Sequence, residues 1–352
     1  MNRPATTLLV RHTLELDDYP VDCAWSPDGR ELAVAGGAGS LQRVLLATGS
    51  ALRLGSHDPG LLAVSWQSGP QQQLATTGQD GSVRLWDAGA STPGEGRAIH
   101  RGMAWPLGLA FAPGGKALAV AVKKDVLVFG ATGEPLHRFA DQTCNLTQLL
   151  WRNDRELVAA GNGAAFLLQL PPQQTTTQLA FEGAPMTLSL SPDARIVAAG
   201  TQDGTVYFRY LASQKKSRMS GYEGKVTQTS WSGNSRYLAT AASGANVIIV
   251  WDFGGKGPEG SRPLQLESHG DRIESLAFQP GSNLLASGGR DWRLVLWRPG
   301  PGKAAAAQAS AQQPLDVQLL AGPVSLLRWS PDGRHLAVAQ ASGLLQLFEL
   351  RG

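Results

Sequence analysis

Histidine, aspartate and cysteine are the side chains with which this sequence could do acid–base, nucleophilic or metal chemistry, and their spacing decides how much of it is available. A metal site would need several of the six histidines, alone or with Cys and carboxylates, converging at close spacing, and no HxH, HExxH or CxxC motif occurs. Asp80, Asp203 and Asp291 stand in the turns Gln79-Asp80-Gly81, Gln202-Asp203-Gly204 and Arg290-Asp291-Trp292. A turn carboxylate that accepts from its own backbone explains that placement without catalysis. Gly114-Gly115-Lys116 and Gly254-Gly255-Lys256 lack the upstream Gly and following Ser/Thr of a phosphate loop, and no GxSxG nucleophile elbow is present. Asn145-Leu146-Thr147 matches a glycosylation acceptor, but the N-terminal MNRPATTLLVRHTLEL has too short an apolar run for a secretory signal. Cys23 and Cys144 are the only cysteines, which suits a reducing compartment with two unpaired thiols. The expectation is a protein with no catalytic residue, no metal and no cofactor.

The elements that carry these residues repeat. Leu74 to Asp87, LATTGQDGSVRLWD, returns most clearly as Leu285 to Trp297, LASGGRDWRLVLW. Each copy reads as two short strands joined by a tight polar turn, the signature of a β-hairpin. Before each hairpin lies a third apolar element that ends on an anchor residue, often followed by a turn such as Trp25-Ser26-Pro27-Asp28-Gly29 or Trp329-Ser330-Pro331-Asp332-Gly333. The anchors are Trp25, Trp66, Phe111, Trp151, Leu190, Trp231, Phe278 and Trp329, which makes eight units. Their spacing averages about 43 residues, inside the roughly 40 to 45 of a four-stranded propeller blade.

On these residues the chain resembles the WD-repeat β-propeller family over nearly its whole length. The resemblance implies a structural tetrad in each blade: a His before the first strand, a Ser/Thr in the second, an Asp in the hairpin turn and a Trp in the third. Two units match in full, His57 with Thr76, Asp80 and Trp86, and His269 with Ser287, Asp291 and Trp297. His100 also falls among the structural histidines in this reading. The sixth unit keeps Thr240, Trp251 and Asp252 but has Tyr222 near the His position, and the fifth keeps Asp203 with Arg209 in place of Trp. The implied fold is all-β, a single domain over 1–352 built as one eight-bladed β-propeller of four-stranded blades.

Length and composition agree with that fold. A chain of 352 residues exceeds the size at which one core stops growing, but stacked repeats let a core extend around a ring. The 42 glycines and 21 prolines fit many short strands and turns. With 31 basic against 28 acidic residues and no long Lys/Arg run, general nucleic-acid binding is not expected. No stretch reaches the 18 apolar residues of a membrane span, and the chain reads as cytoplasmic.

Two segments stand outside the hairpins. Residues 7–14 form a strand with no hairpin of its own, whereas the last unit, ending at 344–350, lacks an outer strand; pairing of the two would close the ring and make the chain complete in itself. Residues 299–314, PGPGKAAAAQASAQQP, read as a flexible insert between strands. The long links after each third strand share a frayed face with the turns after the anchors. The other, compact face carries the hairpin turns and the short links into each first strand.

Of the ten tryptophans, five are anchors and three fill the third-strand position, which leaves Trp105 and Trp292 without a role in the repeat. Both map to the compact face, exposed as binding anchors or folded over a neighbouring blade. The same register gathers Tyr19, Leu107, Met186, Lys124, Arg272 and Arg290 on that face. Aromatic and aliphatic groups beside Arg and Lys suit a protein-binding surface. The sequence therefore points to a non-enzymatic interaction platform, a single-copy ring within a complex that binds one or more proteins or peptides. The alternative is a propeller enzyme or small-ligand binder that uses the central channel.

Overall fold

Alternation of Val, Leu and Ala with small polar residues, broken at short intervals by Gly, Pro, Asp or Asn, favours strands over helices. The computed structural model describes residues 6–69, 73–179, 181–255, 257–300 and 313–352, and among them lie thirty-two strands and no helix. They pair as eight four-stranded antiparallel sheets. Seven sheets take their strands in chain order, spanning 20–56, 61–101, 106–139, 146–179, 185–220, 226–267 and 273–319, here blades one to seven. Blade eight is built from Val324–Trp329, His335–Gln340 and Leu344–Arg351, with Thr7–Glu15 as its outermost strand. The chain is an eight-bladed β-propeller closed through its N-terminal strand, and both closing strands run one residue longer than the sequence suggests.

The described residues gather into two compact units, one on blades one to four and one on blades five to eight. In the first, Leu41, Leu61, Leu74 and Trp86 pack between blades one and two, Val83, Leu118, Val120 and Phe129 between two and three, and Val126, Leu157 and Phe166 between three and four. In the second, Phe208 and Trp231 join blades five and six, Ile248, Ile273 and Trp297 join six and seven, and Leu8, Leu296, Trp329 and Phe348 join seven and eight. Leu8 is the buried residue of the closing strand, and its N–H donates to Asp316 Oδ2 at 2.8 Å.

Every anchor residue ends the innermost strand of its blade. There it reaches its neighbour. The indole N–H of Trp151 donates to Ala110 O at 2.9 Å, and that of Trp329 to Ala277 O at 3.0 Å, each on the preceding blade. Inner strands of adjacent blades share no ladder, so side chains stitch them instead. Asp22 accepts from Val64 N, Ser65 from Phe111 N, Ser230 from Phe278 N and Ser275 from Leu327 N, at 3.0 to 3.4 Å.

At the second residue of every inner strand the register skips by one. Such a bulge leaves a residue unpaired and re-aims its side chain. Leu107 and Met186 occupy two of these positions, and both are exposed. Of the insert expected over 299–314, residues 301–312 lie outside the described residues; Pro299 is buried and its carbonyl accepts from Asn283 Nδ2 at 2.6 Å.

Candidate functional site

In blade two the four residues His57, Thr76, Asp80 and Trp86 meet in one chain of hydrogen bonds. Trp86 Nε1–H donates to Thr76 Oγ1 at 2.7 Å, Thr76 Oγ1 stands 2.7 Å from His57 Nε2, and His57 Nδ1 stands 2.9 Å from Asp80 Oδ1. A carboxylate only accepts, so Nδ1 carries the proton, Nε2 accepts from the threonine, and the ring is neutral. Blade seven repeats the arrangement: Trp297 Nε1–H donates to Ser287 Oγ at 2.9 Å, Ser287 Oγ lies 2.8 Å from His269 Nε2, and His269 Nδ1 lies 3.1 Å from Asp291. Two glycines make room for the imidazoles. A Cβ on Gly78 would lie 2.1 Å from His57 Nδ1, and one on Gly289 would lie 2.9 Å from His269 Nδ1.

Ser287, His269 and Asp291 have the connectivity of a nucleophile, base and orienting acid. Burial removes that chemistry. Ser287 is 0% exposed and its oxygen already accepts the Trp297 indole, so no carbonyl carbon can approach it. Burial also pushes the His57 and His269 pKa values below the ordinary 6.5, against the pull of their aspartates. Asp80 shows the complementary shift: burial raises it, but hydrogen bonds from His57 and Ser82 outweigh this and hold it at about 2. The arrangement holds turn, strands and third-strand tryptophan in register.

Blade six reaches the same end with a tyrosine. Trp251 Nε1–H donates to Tyr222 Oη at 2.6 Å, Tyr222 stands 2.8 Å from Thr240 Oγ1, and Thr240 donates to Ile249 O at 3.0 Å. A phenol both accepts and donates, so the relay closes without a turn aspartate, and burial pushes the Tyr222 pKa up to about 12. In blade five no His arrives, and Thr201 fills the glycine slot and donates to Asp203.

The grouping of His100 with the structural histidines does not hold. His57, Tyr222 and His269 precede Leu61, Val226 and Ile273 by four residues, whereas His100 precedes Pro106 by six. His100 belongs to the outer strand Arg97–Arg101 of blade two, opposite Val83. Its Nε2 is buried with no hydrogen-bond partner.

The residues outside the tetrads lie at the ends of the blades that carry the hairpin turns. In the first unit Tyr19 is 54% exposed, Trp105 52% and Leu107 40%, and Lys124 is exposed; Met103, which sequence reasoning passed over, is fully exposed. In the second unit Trp292 is 48% exposed and Met186 40%. Arg290, exposed, and Arg272, half-buried, both pair with Glu274, the bulge residue of blade seven. Neither spare tryptophan is folded away.

Trp292 is also strained. Its φ is 65°, and the residue after the turn aspartate in blades two and five is glycine, Gly81 at 72° and Gly204 at 74°. A bulky side chain in this left-handed region is an outlier, disfavoured by about 1–2 kcal/mol. The surrounding backbone holds it there, with Leu320 N donating to Trp292 O at 2.8 Å and Arg290 N to Arg272 O at 2.9 Å.

Comparison with known proteins follows this geometry. The family model of the WD domain, G-beta repeat, matches residues 45–87, 213–252 and 260–298. These stretches contain the third-strand tryptophans of blades two, six and seven, the three blades whose relay to that tryptophan is complete. Among similar proteins are WD repeat-containing protein slp1 of Schizosaccharomyces pombe, 22% identical over 62% of this chain and 43% of its own length, and THO complex subunit 3 of Arabidopsis thaliana, 26% identical over 43% and 44%. The guanine nucleotide-binding protein subunit beta of Arabidopsis thaliana is 23% identical over 83% of this chain and 73% of its length. The chain spans 18% of the length of Protein HIR1 of Yarrowia lipolytica, another relative. The crystal structure of the computationally designed Ika8 protein superposes with a TM-score of 0.73 at 18% identity, over 95% of this chain and 98% of that one. Matched repeats, blade architecture and tryptophan relays agree: the chain carries WD repeats in these three stretches and is similar to WD-repeat proteins.

Proposed function

We propose that this protein is a non-enzymatic interaction platform that docks one or more proteins or peptides on the compact ends of its blades and works as a single copy within a complex. WD-repeat propellers are typically interaction scaffolds or adaptors, and this gives the reading its starting point. The observation that carries it is Trp292, an exposed indole kept at a strained position where glycine serves in two other blades. Strain carried by a residue that stays half exposed motivates a functional reading. Trp105 supports the same reading through its exposure. Aromatic anchors beside arginines are the residue types that dominate binding energy at interfaces. A cytoplasmic location belongs to the same proposal, supported by the low cysteine content, Cys23 and Cys144 alone.

Affinity purification with and without Trp105→Ala tests it. The variant should recover at least tenfold less of the co-purified partners, because truncating an interfacial anchor typically costs about 2 kcal/mol or more, and its melting temperature should stay that of the parent. A lowered melting temperature with undiminished recovery would make Trp105 a packing residue and overturn its role.

A further inference from the structure

The site on blades two and three has a chemistry of its own, and this inference rests on the platform reading. Pro106 pairs with Val122 in blade three, so the link 102–105 into the inner strand lies beside the hairpin turn Lys123-Lys124 at one end of the sheet. The link itself rests on the preceding blade, where Gly102 N donates to Gly81 O at 3.1 Å, and the turn is pinned from blade four by Leu146 N to Lys123 O at 2.7 Å and Gln142 N to Lys124 O at 2.9 Å. Lys123 holds φ at 54°, a left-handed value fixed by those contacts. The cationic turn is therefore a positioned feature of the fold.

On this frame stand three large apolar side chains in the open, Met103, Trp105 and Leu107, the last turned outward by the bulge of its strand. Around them stand three exposed cations, Arg101, Lys123 and Lys124. No carboxylate occurs in 101–107 or 123–124, and these cations form no ion pair among the described residues. Nearby acids are committed elsewhere: Asp80 to His57 and Arg84, Asp125 to Arg138, Asp22 to Val64 N. The exposed Asp58 and Asp141 belong to the neighbouring links.

We propose that this site takes an acidic amphipathic peptide segment, with large apolar side chains on Met103, Trp105 and Leu107 and carboxylates on Arg101, Lys123 and Lys124. The apolar trio supplies desolvated anchoring, and the unpaired cations supply the sign of the partner and its salt dependence.

The test uses the full chain and fluorescein-labelled synthetic peptides followed by anisotropy. One peptide alternates Leu and Phe with Glu; a second replaces Glu by Lys; a third replaces Leu and Phe by Ser; a single-stranded oligonucleotide of equal charge is the fourth probe. The first should bind, weaken roughly tenfold between 50 and 300 mM salt, and lose a similar factor with Lys123→Glu/Lys124→Glu and with Trp105→Ala. The second and third should not bind measurably. Melting curves of both variants should match the parent, so that lost binding is not lost folding. Equal binding of the Lys peptide, binding unmoved by charge reversal, binding of the oligonucleotide as tight as that of the first peptide, or no binding of the first peptide would each overturn the inference. If the peptides fail while Trp105→Ala still reduces partner recovery, only the acidic segment is wrong and the platform reading stands.

Discussion

A chain lacking residues 2–15 should aggregate, or melt far below the intact protein. Thr7–Glu15 is the outermost strand of blade eight, and without it the strand Leu344–Arg351 becomes a bare edge. Exposed edges with apolar neighbours invite pairing between chains. The loss also uncovers the core that Leu8, at 2% exposure, shares with Leu296, Trp329 and Phe348. Leu8→Ala alone should cost about 2–5 kcal/mol, the range for a buried leucine, whereas Leu9→Ser, on a residue 49% exposed, should be close to neutral. Light scattering and thermal melts of the three variants check the order. An unchanged melting curve and a monomeric profile for the truncated chain would show that the N-terminal strand is dispensable.

Asp291→Ala and Asp80→Ala should each destabilise by roughly 1–3 kcal/mol, because each removes the carboxylate to which a buried imidazole N–H donates; in blade two Ser82 Oγ, 3.2 Å from His57 Nδ1, can accept in its place and should put Asp80→Ala at the lower end. Asp203→Ala should cost less: Asp203 is exposed, and Thr201 keeps a second bond, 2.8 Å to Thr205 O. The histidines add a pH signature. Their folded pKa values lie below the unfolded one, so the unfolded chain takes up protons first. Their stabilisation is therefore complete above about pH 6.5 and declines as pH falls below it. His100 and His335, lowered by burial as well, add to the same slope. Asp80 enters only in acid, with its contribution complete above 3.8 and lost as pH falls through about 2. Urea unfolding at pH 7.5 and 5.5 should show the decline in the parent. A flat profile, or full stability in both Asp→Ala variants, would contradict the structural role of the tetrads.

The eight units were legible because each anchor ends an inner strand, and a hydrophobic run closing on an aromatic, or on Leu190 in the fifth unit, survives even where the tetrad has decayed. Ring closure was legible for the same reason, one strand spare at the start and one missing at the end. The bulge in each inner strand was not: it shifts register by a single residue within an apolar run, and nothing in the types of Leu62, Leu107 or Met186 marks it. The misplacement of His100 came from reading residue type without spacing. Four residues separate His57, Tyr222 and His269 from their inner strands, and that interval would have rejected His100 and assigned Tyr222 its role. The glycines at 78 and 289 were a further signal, since a residue before the turn that must lack Cβ points to a ring packed against it. Exposure of Trp105 and Trp292 could not be read at all, because a tryptophan in a link has the same sequence whether it folds down or stands out. The strain at Trp292 follows only from its backbone angle.

That strain gives the most direct test of the platform reading. Trp292→Gly places at this turn the residue used in blades two and five, where φ is 72° and 74°. It removes an indole that is 48% exposed and relieves a left-handed conformation unfavourable to it by about 1–2 kcal/mol. If the tryptophan is kept for docking, the variant should melt at or slightly above the parent temperature while recovery of co-purified partners falls tenfold or more. A lower melting temperature with undiminished recovery would contradict the account, because it would make Trp292 part of the packing and leave the compact end of blade seven without its anchor.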